Sequence, residues 1–137
     1  MLIQKLNQIN STLNDLIKIT QEDIKNIKKA NHFEVFKNIS IKEEKAELFS
    51  KLKSEIDEIL IKRNKPIEEI FTKEEEILFD VFRDKLTTFH ELHKKFSKLA
   101  FSVYNFYNAL LSELKQEEPK IDYSNTNIPQ SHLTLKA

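Results

Sequence analysis

The chain has 137 residues, a length suited to one domain, and its 22 basic and 22 acidic residues cancel. It contains no glycine and no cysteine, which excludes phosphate-cradling glycine loops, disulfides and thiolate metal sites, and leaves primed hairpin turns without their usual residue. Charged residues fill 32% of positions, and Lys, Glu, Ile, Leu, Asn and Phe dominate, a mixture that suits long amphipathic helices and argues against sheets.

A neutral chain has no overall field drawing it toward nucleic acid. Residues 1–31 hold five Lys against three acids, and residues 65–118 hold eight basic against eleven acidic residues. Asymmetries of this size are what a solvated helical surface carries. No apolar run approaches the ~20 residues that a bilayer span needs, and no signal peptide is visible at the N-terminus. The expected location is the cytoplasm.

The first element is an amphipathic helix over about 2–30. Leu2, Leu6, Ile9, Leu13, Leu16, Thr20, Asp23 and Ile27 recur in alternating steps of four and three, and Ile3, Ile17 and Ile24 widen the stripe. Asn31 and His32 supply a polar joint. A second helix is expected over about 33–64, with Ile39, Ala46, Phe49, Leu52, Ile56 and Ile59 on one face and Val35 and Phe36 at its start. Its period is weaker, which predicts looser or two-sided packing. Pro66 ends it, because proline lacks the amide proton and restricts its predecessor. Residues 66–71 have room for one short helical turn.

Thr72-Lys73-Glu74-Glu75 then matches a capping box, in which the Thr hydroxyl and the Glu carboxylate satisfy amides at a helix start. The third helix, over about 73–117, carries the strongest pattern. Phe79, Phe82, Leu86, Phe89, His93, Phe96, Ala100, Val103, Tyr107, Leu110 and Leu114 alternate in steps of three and four. From 79 to 114 such a helix is about 50 Å long, and it must pack on the first two helices, on its own copy or on a client. The expected fold is therefore all-α: an elongated antiparallel bundle of three main helices within residues 1–118, followed by a flexible tail over 119–137 that is rich in Asn, Ser and Thr.

Chemical motifs are sparse. His90 and His93 share a helical face, but a helical carboxylate metal site needs Glu-x-x-His, and Thr87 and His90 occupy the positions where the Glu would stand. Glu74, Glu75 and Glu76 complement the macrodipole at a helix start. No nucleophile motif is present. The expectation is a non-catalytic protein without cofactor or metal. The segment 101–114 is different, because Phe101 and Tyr104 lie off the main seam and Leu111 joins them on that flank. A helix apolar nearly all round is either buried on several sides or awaits a partner.

The first amphipathic helix runs through Ile19-Thr20-Gln21-Glu22-Asp23 to the joint Ala30-Asn31-His32-Phe33-Glu34. Lys45 then stands ahead of Leu48, Phe49 and Leu52, followed by Asn105-x-x-Asn108-x-x-Leu111, and by Tyr123 beyond the last helix. In these residues the sequence resembles the FlgN family of flagellar type III export chaperones. The resemblance covers most of residues 1–125. One departure concerns the tail: Ser124-Asn125-Thr126-Asn127 follows the tyrosine where the family often has Gly. The resemblance implies binding of the C-terminal helices of hook-associated proteins of the FlgK and FlgL type. It implies that such clients are kept from premature association and handed to the export apparatus, including a gate component of the FlhA type. Its client-binding region maps onto Phe101, Tyr104, Phe106, Tyr107, Leu110, Leu111 and Leu114, and its gate contact onto Tyr123.

Two rival readings stand beside this one. The long third helix pairs with its own copy in a homodimer or larger coiled-coil assembly, or the first helix, with Lys5, Lys18, Lys25, Lys28 and Lys29, lies on a membrane surface. Interfacial helices usually carry a more strongly basic polar face than this.

Overall fold

The computed structural model describes residues 1–116, and three helices account for nearly all of them. α1 spans Leu2–Lys28, α2 spans His32–Arg63 and α3 spans Lys73–Gln116, with one 3-10 turn at Ile67–Glu69 before α3. No strand occurs among the described residues. The all-α class and the three expected helices are present, and α3 runs unbroken through Ala100. The expected tail, 119–137, and its boundary after residue 118 lie outside the described residues.

Both sharp joints form without glycine. Ala30 takes φ 61° and Asn64 takes φ 48°, the left-handed region that glycine usually fills. At the end of α1 the Asn31 amide donates to the Asn26 carbonyl at 2.7 Å, and the Ala30 amide to Ile27 at 3.0 Å. This nested pair satisfies carbonyls that the helix end would otherwise leave open. The αL conformation costs a non-glycine residue about 1–2 kcal/mol. Asparagine tolerates it better than alanine, so the strain falls mainly on Ala30.

Successive helices run antiparallel, which leaves α1 and α3 parallel. The start of α1 packs near the end of α2 and the start of α3: Leu2, Leu6 and Ile9 meet Leu52 and Ile56, flanked by Phe71, Phe79 and Phe82. The aromatic rings meet in sequence, with centroids 4.8 Å apart for Phe71–Phe79, 5.8 Å for Phe79–Phe82 and 6.1 Å for Phe82 stacked on Phe49. At the other end of α1, Ile24 and Ile27 join Phe96, with Val35, Leu92, Leu99 and Val103 around them.

α1 is the central helix. All eight residues of its seam are buried, including Thr20 and Asp23. α2 buries only Leu52 and Ile56 fully, in keeping with its weak periodicity, and Ala46 of its expected face is exposed. The buried acid of α1 is held by α2. Asn38 donates to one Asp23 oxygen at 2.8 Å and Lys42 to the other at 2.9 Å. The Lys42 ammonium also lies 4.0 Å from the centroid of the Phe96 ring on α3. One lysine thus ties all three helices through an ion pair and a cation–π contact.

The joint between α2 and α3 is also tied. The capping box forms: the Thr72 amide donates to Glu75 Oε1 at 2.9 Å, and the Glu75 amide to Thr72 Oγ1 at 3.3 Å. Arg63, at the end of α2, donates to both Glu75 oxygens at 2.6 and 2.7 Å and to the Ile70 carbonyl at 2.8 Å. The Glu75 pKa falls to about 2, chiefly through the Arg63 hydrogen bonds, with the Thr72 bonds and the arginine charge adding to the effect against the opposing effect of burial. Of the three acids at this helix start, Glu75 therefore does more than complement a dipole.

Candidate helix-docking surface

The surface arises from a difference in helix length. α1 ends at Lys28, level with Val103 of α3, because Ile27 belongs to the cluster on which Val103 packs. α2 begins close by, where the His32 ring meets Tyr107 edge-on at 6.0 Å. α3 continues to Gln116. Residues 105–116 add about 18 Å to α3 at 1.5 Å per residue.

The apolar seam does not stop where α1 does. Positions 103, 107, 110 and 114 fall on one helical stripe, so the row that meets α1 at Val103 and α2 at Tyr107 runs on through Leu110 and Leu114. Leu111 and Phe106 widen it on either side. Phe106 is 63% exposed, Leu111 51% and Leu114 55%, and Phe101, Tyr107 and Leu110 are also exposed. Single exposed hydrophobic residues are ordinary on protein surfaces, whereas a contiguous row of large ones marks an interaction surface.

Six of the seven residues expected at this site thus lie on the surface, and the seventh does not. Tyr104 is only 9% exposed and is buried with the bundle, its ring 6.5 Å from that of Phe101. On the α3 wheel it stands on the same side as Ala100, which packs against the cluster at the end of α1. Tyr123 lies outside the described residues.

The structure adds two residues that the sequence pattern did not single out for this role. Phe33 is 71% exposed and Phe36 60% exposed, both in the first turns of α2 beside the His32–Tyr107 contact. Phe36 was expected at the start of a buried face; Val35 takes that place in the packing, and Phe36 remains in solvent. The Lys37 ammonium lies 5.6 Å above the Phe33 ring. Two phenylalanines so close together, one of them off the helical stripe, were the available signal.

Charge is unevenly placed along the bundle. Lys25, Lys28 and Lys29 are exposed at the end of α1, and Lys94, Lys95 and Lys98 are exposed on the neighbouring turns of α3. The opposite end exposes both signs, Glu68, Glu69, Glu74, Glu76, Asp80 and Asp84 beside Lys62, Lys65, Lys73 and Arg83. Among the described residues no group of three or more His, Cys, Asp or Glu side chains is placed to hold a metal ion, and no helix is long and apolar enough to cross a membrane. The surface offers apolar contact bordered by cations. No protein-family model, curated protein or solved structure matches this chain.

Proposed function

We propose that this protein is a cytoplasmic export chaperone of the FlgN type, which holds the C-terminal helices of hook-associated proteins on the end of α3. The observation that carries the reading is the row Phe106, Leu110, Leu111 and Leu114, large apolar residues exposed on a helix that outruns its neighbour. An amphipathic client helix laid on that row covers apolar surface on both partners, which is how helix-in-groove recognition works. Covering it before assembly keeps the client from associating too early. The reading needs no cofactor, metal or catalytic group. Tyr123 is assigned to the export gate by resemblance alone.

The test is a pull-down of purified hook-associated proteins by the full chain and by a Phe106→Ala, Leu111→Ala, Leu114→Ala triple variant. All three residues are exposed, so the variant keeps its fold and a loss of capture reports binding. Tyr104 is left in place, because its replacement would disturb packing as well. The expected result is capture by the native chain and at least a tenfold loss in the variant. Equal capture by both would end the residue assignment. A stable self-dimer that does not exchange with clients would favour the structural coiled-coil reading instead.

A further inference from the structure

The docking face lies at the basic end of the bundle, and that charge selects among occupants. Lys25 and Lys28 stand in the last turn of α1, and Lys29 follows as its cap. All three are exposed, and among the described residues none is in an ion pair. Lys94, Lys95 and Lys98 are exposed on the adjacent stretch of α3. The acids nearby are few. Glu22 stands three residues before Lys25 and Glu91 three before Lys94, Glu34 pairs with Lys37, and Glu113 is the one carboxylate on α3 between Glu91 and Gln116.

A helix that continues the α3 stripe beyond Val103 takes up the line that α1 leaves at Lys28. Its near end therefore comes beside three lysines. Basic residues there would repel it, and Asp or Glu beside its apolar stripe would be attracted.

We propose that the occupant of this face is an amphipathic helix of another protein, its apolar stripe flanked by aspartates and glutamates and its acidic end seated against Lys25, Lys28 and Lys29. This rests on the docking reading above and sharpens it by fixing the chemistry of the partner. A second copy would bring to those lysines only the one carboxylate that α3 carries between Glu91 and Gln116, Glu113, which makes it the poorer occupant.

Two fluorescent synthetic peptides test the assignment against the full chain. Both carry one Leu/Phe stripe about four turns long, flanked by Glu in one and by Lys in the other, and binding is read by anisotropy. At low salt the Glu peptide should bind at least tenfold tighter, and the gap should close as salt screens the charges. Lys25→Gln, Lys28→Gln, Lys29→Gln should weaken the Glu peptide by about five- to tenfold, as three exposed ion pairs would, and leave the Lys peptide no weaker. Leu110→Ala with Leu114→Ala should weaken both. Equal binding of the two peptides at low salt would overturn the acidic partner while leaving the apolar face as a docking surface. Binding of neither would overturn both, as would sedimentation showing the face occupied by a second copy or cross-linking showing it covered by residues 117–137.

Discussion

At the end where α1 begins, Leu78, Phe79 and Phe82 of α3 pack against Leu2, Leu6 and Ile9; at the end where α1 stops, Leu110, Leu111 and Leu114 of the same helix stand in solvent. The two stretches of α3 share one apolar repeat. What separates them is the presence of a neighbour. The first is further tied by the Arg63–Glu75 clamp and the capping box, whereas α2 meets the second through its first turn, at His32. A repeat along a helix therefore marks what is able to be buried, and the lengths of the neighbouring helices decide what is.

The largest expected effect breaks the closed end. Leu6 is fully buried, and Leu6→Ala should destabilise the fold by about 3 kcal/mol, read as a lower urea midpoint. The matching substitution at the open end, Leu110→Ala, should change stability by less than about 0.5 kcal/mol. Similar losses at the two sites would mean that the open end is covered in solution.

The clamp comes next. Glu75→Gln should cost about 2 kcal/mol near neutral pH, because it leaves a partly buried Arg63 with a weaker partner. The pH dependence has a definite sign. The Glu75 carboxyl titrates at about 2 in the folded chain against an ordinary value of 4.5. Its stabilisation is therefore fully present above about 4.5 and is lost as pH falls from there toward 2. Unfolding measured across this window should show a steeper acid loss in the native chain than in Glu75→Gln. Parallel curves would remove the clamp from the explanation.

Smaller effects sharpen the two joints. Ala30→Gly should stabilise the chain by about 1 kcal/mol, since glycine accepts the φ of 61° that alanine resists. Thr72→Ala should destabilise by about 1 kcal/mol through loss of the cap on α3. Smallest in free energy is the opening of the far helix turns, read by amide exchange. Amides of residues 106–114 should exchange far faster than those of residues 79–96, because few tertiary contacts protect them. Equal protection would contradict an open face.

Much of the fold was legible along the chain. Every one of the eight seam positions of α1, from Leu2 to Ile27, is buried, even though Thr20 and Asp23 are polar. The step of three and four was the reliable signal there, more than the identity of any residue. Thr72 and Glu75 were readable as a capping box because all partners of that device lie within four residues. The candidate site was legible in part. Its apolar breadth near 101–114 was visible, but the burial of Tyr104 and the exposure of Phe33 and Phe36 were not, since each depends on which side of a helix meets a neighbour distant in sequence.

By itself, then, the sequence determined three helices, their joints and the stripe each one buries, because helical periodicity and capping act between residues a few positions apart. Tertiary structure alone decided that Arg63 would seize Glu75, that Lys42 would serve Asp23 and Phe96 together, and that α1 would stop level with Val103 while α3 ran on. Those outcomes depend on how helices of unequal length align in space, and no local spacing records that alignment.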